Sequence, residues 1–234
     1  TVHMPTFTVT GEIDPFLHVH LRKNERIFCE SGAMVMMEAG LQVKGKMRGG
    51  LGRALLRRVA NDESFFQQEI EASSDGDCLL SPALPGSIQL LDVDANNAYT
   101  LSDGSFVAAE STVELHSRLN SLGGSFFGGT GGFVIMEARG HGKLAISGFG
   151  SLFALDVTHG QDIVIDNNHA IAWSSNLHHE IGMPQSGGGF LSGLVNSVTS
   201  GEGLVIRFSG QGKVVICSRN RALFQAQTAS GSSS

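Results

Sequence analysis

The chain has 234 residues, of which 41% are hydrophobic and 16% are charged, a balance that excludes a disordered protein and favours a folded core. Glycine is unusually frequent, with 31 residues against 5 prolines, which is typical of a protein with many tight turns. The net charge is −6. The longest apolar runs have the length of β-strands, well short of the ~20 residues that a membrane-spanning helix needs.

The three cysteines, Cys29, Cys78 and Cys217, are far apart in the chain. Their spacing matches neither a zinc site nor a redox pair. Free cysteine is also among the residue types most often found in protein cores. The sequence therefore predicts buried, reduced thiols in a cytoplasmic protein. No cofactor is predicted.

Three segments of the chain repeat one order of parts: a short strand, a glycine-rich apolar loop, and two strands joined by a tight turn with glycine. The first copy consists of 33–38, 49–52 and 65–81, the second of 105–110, 123–129 and 133–147, and the third of 170–174, 187–191 and 204–218. This order predicts one all-β domain over 1–220, in which three diverged repeats adopt a pseudo-threefold arrangement. The predicted repeats cover about 30–95, 103–158 and 168–220, and a low-complexity tail follows at 221–234.

Two continuous apolar runs, 163–165 and 214–217, predict strands that are buried on both faces. Helix is predicted only over 51–60, where leucines recur at helical spacing, and over 193–198. The sequence thus predicts very little helix.

Several short motifs resemble the AIM24-like family, which includes bacterial proteins of unknown function. The segment 30–37 (ESGAMVMM) resembles the family's GAMV-x-M strand, and 63–66 (ESFF) resembles its GES-F-F element, with Asn61-Asp62 where the family has glycine. Pro82, Gly86 and Leu90 resemble a further stretch of conserved spacing in that family. The resemblance covers about residues 6–220.

This resemblance implies a compact β fold of TRAP-like, double-stranded β-helix character. It implies no catalytic residues, because the shared motifs are structural. Fungal relatives are mitochondrial and linked to inner-membrane organisation, whereas bacterial relatives lack an assigned activity. Kinship with the ring-forming RNA-binding protein that gives the TRAP fold its name does not by itself imply RNA binding.

A basic stretch over 44–58 is the sharpest functional hint in the sequence. Its side chains would lie on one strand face and on the predicted helix beyond it, at Lys44, Lys46, Arg48, Arg53, Arg57 and Arg58. An ordinary charged surface is the commoner reading of such a cluster. The alternative is recognition of an anionic partner: a lipid headgroup, an acidic protein or nucleic acid. The stretch has no aromatic residues, which argues against stacking of single-stranded RNA.

His178 and Glu180 are weak candidates for a metal site, because alternate residues of a strand share a face. No further ligand stands at a spacing typical of zinc sites, so a solvated strand face is the favoured reading. The sequence also lacks a GxSxG elbow and a recognisable cysteine nucleophile. No catalytic residues are therefore predicted.

The main hypothesis is a non-catalytic, self-associating interaction or scaffold protein that forms a homo-oligomer. Its predicted interface consists of apolar residues in the glycine-rich loops, which would contact another subunit or a membrane surface: Leu51, Leu55, Phe126, Phe127, Phe190 and Leu191. The alternatives are a binding module for an anionic ligand through the basic stretch and, third, a metal-dependent enzyme.

Overall fold

The structure is a computed structural model that describes residues 4–46, 67–120, 133–182 and 205–220, which form β-strands and one 3₁₀ turn. The strands up to residue 93 are β1 (Thr6–Thr10), β2 (Phe16–Leu21), β3 (Arg26–Glu30), β4 (Met34–Met37), β5 (Leu41–Lys46), β6 (Gln67–Ala72), β7 (Gly76–Leu80) and β8 (Ile88–Val93). The next are β9 (Tyr99–Ser102), β10 (Phe106–Glu110), β11 (Val113–Asn120), β12 (Phe133–Gly140), β13 (Gly142–Ser147) and β14 (Leu152–Val157). The last are β15 (Ile163–Asp166), β16 (Ala170–Ser174), β17 (His178–Gly182), β18 (Val205–Ser209) and β19 (Gly212–Cys217), with the 3₁₀ turn at Asn167–His169 before β16.

These strands form four sheets in which every strand pair is antiparallel. Sheet 1 has the order β1-β2-β7-β4, and sheet 2 has the order β5-β6-β3-β10-β13-β8. Sheet 3 has the order β11-β12-β9-β16-β19-β14, and sheet 4 has the order β15-β18-β17. The predicted all-β class is confirmed.

The sheets pack face to face around three apolar cores, because alternate residues of each strand point to opposite faces. One core combines Leu17 and Val19 of sheet 1 with Ile27 and Ile70 of sheet 2. A second core lies between sheets 2 and 3, and the third lies between sheets 3 and 4 around Trp173. Sheets 2 and 3 are therefore covered on both faces, whereas sheets 1 and 4 each contribute to one core.

The three predicted opening strands are present as β4, β10 and β16, and the closing strands are β6 and β7, β12 and β13, and β18 and β19. The closing strands do not pair with each other as hairpins, because the chain passes from one sheet to another at each turn: β6, β12 and β18 lie in sheets 2, 3 and 4, and β7, β13 and β19 lie in sheets 1, 2 and 3. Each opening strand pairs with the second closing strand of its copy, and each pair contains one register shift. The shifts fall between Met34 and Met36, between Phe106 and Ala108, and between Ala170 and Ala172. Each opening strand together with its closing strands is called a unit below. The threefold arrangement of the three units stays a prediction.

Glycine permits the tight turns between β12 and β13 and between β18 and β19. Gly140 has a φ of 99°, and a Cβ there would lie 2.5 Å from the Thr112 carbonyl oxygen. Gly210 has a φ of 106°. Side chains other than glycine rarely adopt such angles, so these positions fix where the chain turns from one sheet into the next.

One prediction about burial is wrong at 163–165. Ile165 is 9% exposed, but Val164 between the isoleucines is 58% exposed. The physical reason is that β15 is the last strand of a three-stranded sheet, so one of its faces and one of its edges have no neighbouring sheet or strand among the described residues. The run 214–217 is largely buried, as predicted. The predicted helices at 51–60 and 193–198 and the tail at 221–234 lie outside the described residues.

Candidate functional site

The outer strand of sheet 1, β4, carries an unusually apolar surface. Met34, Val35 and Met36 are 37%, 54% and 42% exposed. Methionine and valine favour a packed strand environment, and a strand edge of this kind offers free backbone groups to another strand. The β4 edge, defined as Met34–Met37, is the first part of the candidate site.

The second part is the outer face of sheet 1, which is the face turned away from sheet 2. Leu17, Val19 and Leu21 of β2 point inward and are fully buried. The alternating residues point outward and form rows across the sheet with β7 and β4. One such row runs His18, Leu79, Met36. The outer face as a whole consists of Phe16, His18, His20, Met36, Asp77 and Leu79.

The same position is buried in the two units that follow. Ala108 faces Ala145 across β10 and β13, as Met36 faces Leu79 across β4 and β7. Both alanines are 0% exposed, because sheet 1 covers them. Ala172 and Val215 form the corresponding pair in β16 and β19 and are covered by sheet 2. The outer face of sheet 1 is thus the exposed counterpart of two faces that are core.

A polar cluster lies beside this apolar surface. His18 Nε2 is 2.7 Å and His20 Nδ1 is 3.1 Å from the same oxygen, Asp77 Oδ1. The backbone N–H of Asp77 donates to Glu38 Oε2 at 3.1 Å. The hydrogen bond from His18, supported by His20, holds the pKa of the Asp77 carboxyl below its usual value.

Ionic pairs occupy the matching position in the other two units. Asp77 lies opposite His20, Lys143 opposite Asp92, and Lys213 opposite Asp156. The Lys213 ammonium is 2.7 Å from Asp156. The first unit therefore keeps an acidic and a basic residue opposite each other, but on exchanged strands and with histidine in place of lysine. Local sequence patterns do not reveal this cluster, because Asp77 lies 59 residues from His18 and 57 residues from His20 in the chain.

A second exposed apolar surface lies at the opposite end of the sheet order. Val164 on β15 is 58% exposed and Phe153 on β14 is 63% exposed. Phe153 faces Ile216 across β14 and β19, and its counterpart Leu17, which faces Leu80 across β2 and β7, is fully buried. Sheet 1 at one end of the sheet order, and β14 and β15 at the other end, thus both expose apolar residues whose counterparts in other units are buried in a core.

The residues predicted for the anion site are mostly not described. Lys44 lies on β5, where its ammonium pairs with the carboxylate of Glu71. The backbone of Lys46 ends β5, and Arg48, Arg53, Arg57 and Arg58 lie outside the described residues. The structure therefore places one of the predicted basic side chains, that of Lys44, beside an acid. The anion site as a whole stays a prediction.

The loop residues predicted for the interface also lie outside the described residues: Leu51, Leu55, Phe126, Phe127, Phe190 and Leu191. Their role stays a prediction.

The weak metal candidates share the exposed face of β17. His178 Nε2 is 3.2 Å from Glu180 Oε1, and these side chains are 68% and 42% exposed. His179 points the other way, with its ring centroid 5.4 Å from that of Trp173. Within the described ranges, no group of three or more His, Cys, Asp or Glu side chains is arranged to hold a metal ion.

The three cysteines are free thiols buried in the cores. Burial raises the pKa of the Cys29 and Cys78 thiols to about 12, and it also raises the pKa of Cys217. Thiolate is the reactive form, so these side chains are chemically quiet. In the part of the chain that the structure describes, no helix is long and apolar enough to cross a bilayer.

Comparisons with known proteins agree with this fold. A solved crystal structure of a Streptococcus pyogenes protein superposes with a TM-score of 0.77 at 28% identity, and covers 95% of this chain and 97% of that one. An uncharacterized protein of Streptococcus pyogenes serotype M6 is 30% identical over 225 residues, which is 93% of this chain and 87% of that protein.

A mitochondrial relative is more distant. The altered inheritance of mitochondria protein 24 of Yarrowia lipolytica is 23% identical over 175 residues, which is 74% of this chain and 55% of that protein. The family profile described as mitochondrial biogenesis AIM24 matches residues 7–219. The match spans almost the whole chain, and on that ground the protein belongs to the AIM24 family.

Proposed function

We propose that this protein is a non-catalytic, self-associating interaction protein, and that the outer face and β4 edge of sheet 1 form one of its contact surfaces. The observation that carries the proposal is the contrast between Met36, 42% exposed, and its counterparts Ala108 and Ala172, both 0% exposed. An exposed apolar strand edge is a liability unless another strand or chain covers it.

The proposal includes three diverged copies of one β unit. The shared pairing of β4–β7, β10–β13 and β16–β19, with a register shift at the same place in each, supports it. Repeated units that bury their faces against neighbours leave incomplete faces at the two ends of the array. Such ends are natural places for contact with further copies.

A cytoplasmic location belongs to the same proposal. Three free, buried thiols suit a reducing compartment, where disulfides rarely persist. The pairing of Lys44 with Glu71 makes the described part of the basic stretch less available to an anion. Self-association is therefore favoured over anion binding.

The test is the mass of the purified chain in solution, measured by light scattering and native mass spectrometry over a range of concentrations. We expect assemblies larger than one chain. The double variant Met34→Ser/Met36→Ser should shift the assemblies toward the single chain. Ile13→Ser is the matched control, because Ile13 is 87% exposed and belongs to a loop outside the candidate site.

A wild-type chain that stays monomeric at all concentrations would contradict the proposal. Equal assembly of the control and the double variant would show that association uses another surface, such as the predicted loops at Phe126 and Phe190. If the monomer binds lipid vesicles instead, the surface contacts a membrane rather than another chain.

A further inference from the structure

Sheets 2 and 3 are each joined from two units. In sheet 2, strands β5-β6-β3 are followed by β10-β13-β8, and in sheet 3, β11-β12-β9 are followed by β16-β19-β14. The junctions are the pairs β3–β10 and β9–β16. Sheet 4 (β17-β18-β15) resembles the first half of such a sheet, and the strands β4-β7-β2 of sheet 1 resemble the second half.

We propose that β15 of one chain pairs with β4 of a second copy of the chain, so that sheet 4 of one copy and sheet 1 of the next form one continuous sheet. This inference rests on the proposed self-association and names the strands that carry it. The contact would be antiparallel, like the two junctions within the chain.

The junctions within the chain fix the expected register. Phe28 lies opposite Ala109 in the first junction, and Thr100 lies opposite Trp173 in the second. Val164 holds the same position in the sequence as Phe28 and Thr100. Each of these residues lies six residues before the first paired residue of the following opening strand, β4, β10 or β16: 34 − 28 = 6, 106 − 100 = 6 and 170 − 164 = 6.

The other side of the junction follows in the same way. Ala109 and Trp173 each lie three residues after the first paired residue of their strand: 109 − 106 = 3 and 173 − 170 = 3. Met37 holds this position in β4, since 37 − 34 = 3. Val164 of one chain is therefore expected opposite Met37 of the next, and Ile165 opposite Met36.

Exposure at the two ends agrees with this pairing. Phe28 and Thr100 are 2% and 4% exposed inside their junctions, whereas Val164 is 58% exposed. On the other side, Ala108 is 0% exposed and Met36 is 42% exposed. The proposed contact would bury both, together with Phe153, whose counterpart Leu17 is fully buried on the corresponding face.

A second copy of the chain is expected to supply the partner strand, because β4 and β15 of one chain do not pair with each other. β4 ends sheet 1 and β15 ends sheet 4, and their apolar residues stay exposed in the single chain. Each copy offers one β4 edge and one β15 edge, so the contact is heterologous. Such a contact builds either a closed ring or an open chain of subunits.

The experiment is disulfide formation between Met37→Cys in one chain and Val164→Cys in another, with one chain tagged. Facing strand residues have Cβ atoms close enough for a disulfide. The three native cysteines are buried, so they compete little for the oxidant. Mild oxidation of the mixture is expected to give mainly the mixed dimer, which reducing agent dissolves.

The control replaces Met37→Cys with Met34→Cys, which lies on the same strand but out of the expected register. It should give several-fold less mixed dimer. Equal yields from both pairs would overturn the register. An oligomeric protein without mixed dimer would overturn this inference while self-association stands, because another surface would then carry it.

A second variant tests closure within the chain. If Met37→Cys/Val164→Cys in one chain forms a disulfide while the mass stays that of a single chain, the two edges close on each other and the inference is wrong. Covalent ladders of two, three or more chains support it. A protein that is monomeric throughout and forms no disulfide would overturn both this inference and the proposed function.

Discussion

The backbone N–H of Lys213 donates a 3.0 Å hydrogen bond to Ser174 Oγ, which ties the end of β16 to the turn between β18 and β19. Asp77 and Glu38 make the same contact in the first unit at 3.1 Å. In the second unit, the backbone of Lys143 hydrogen-bonds to Glu110. The end of each opening strand thus accepts a hydrogen bond from the residue that follows the turn glycine.

Replacement of that glycine should therefore destabilise the second unit. Gly142 has a φ of 139°, and a Cβ there would lie 2.7 Å from Glu110 Oε2, so Gly142→Ala combines backbone strain with a collision. We expect a loss of about 1–3 kcal/mol in the free energy of unfolding, measured by urea denaturation. Gly160→Ala is the control: its φ is 79°, and no atom lies within 4 Å of the position that its Cβ would take. Equal losses in both variants would show that the collision of the new Cβ with Glu110 adds nothing to the cost of the backbone strain.

Acid should remove the stabilising effect of Asp77. Its pKa is lowered from 3.8 by the hydrogen bonds from His18 and His20. A carboxyl whose pKa is lower in the folded state stabilises the fold above the unfolded pKa, and this stabilisation disappears as the pH falls through the folded pKa. We expect Asp77→Asn to melt at a lower temperature than the parent at pH 6, and the gap to narrow below pH 3.8. A gap that stays constant down to pH 2 would contradict this explanation.

The native thiols should be almost unreactive in the folded protein. Because burial raises the pKa of Cys29 and Cys78 to about 12, the thiolate population at pH 8 is very small. Ellman's reagent should label no cysteine rapidly in buffer and all three in denaturant. Rapid labelling of Cys29 or Cys78 in the folded chain would show that the core between sheets 1 and 2 opens readily.

The core between sheets 3 and 4 depends on Trp173. Its side chain is 1% exposed, and its ring centroid lies 5.3 Å from that of Phe208 in an edge-to-face contact. We expect Trp173→Ala to cost about 3–5 kcal/mol of unfolding free energy.

Trp173→Phe should cost clearly less, because it keeps most of the apolar contact. The indole Nε1 also has no acceptor in the described part of the chain, so the change removes no hydrogen bond seen there. Trp173 is the sole tryptophan of the sequence, so its fluorescence, which burial is expected to shift to the blue, reports on this core directly. Similar costs for alanine and phenylalanine would contradict the packing explanation.

Most of the fold could be predicted from local patterns. Apolar strands such as 105–110 and turn glycines such as Gly140 and Gly210 identify the strands and the turns between them, because both signals are local in sequence. The hairpin pairing that such turns favour is wrong, because the strands on either side of each turn pair within different sheets. The exposure of Val164 could not be predicted in this way. Its burial depends on whether another strand lies beside β15, and that is a property of the sheet order rather than of the apolar run.

The candidate site was harder to predict for the same reason. Met34 and Met36 lie in a segment that identifies the family, and its apolar character alone indicates a core strand. Only the sheet order shows that β4 is an edge. The cluster of His18, His20 and Asp77 forms because β2 and β7 are neighbours across more than fifty residues of sequence. The basic stretch and the glycine-rich loops lie almost entirely outside the described residues and stay predictions.

Complementation between two blocked variants tests whether β15 of one chain pairs with β4 of the next. Met36→Lys places a charge on the β4 edge, and Val164→Lys places one on the β15 edge, where the counterparts within the chain are buried. Native mass spectrometry should find each variant alone as a single chain. An equal mixture should form a one-to-one dimer and nothing larger, because one intact edge of each kind remains. If the mixture stays monomeric while the wild type assembles, or if either variant assembles like the wild type, the head-to-tail pairing of β15 with β4 is wrong.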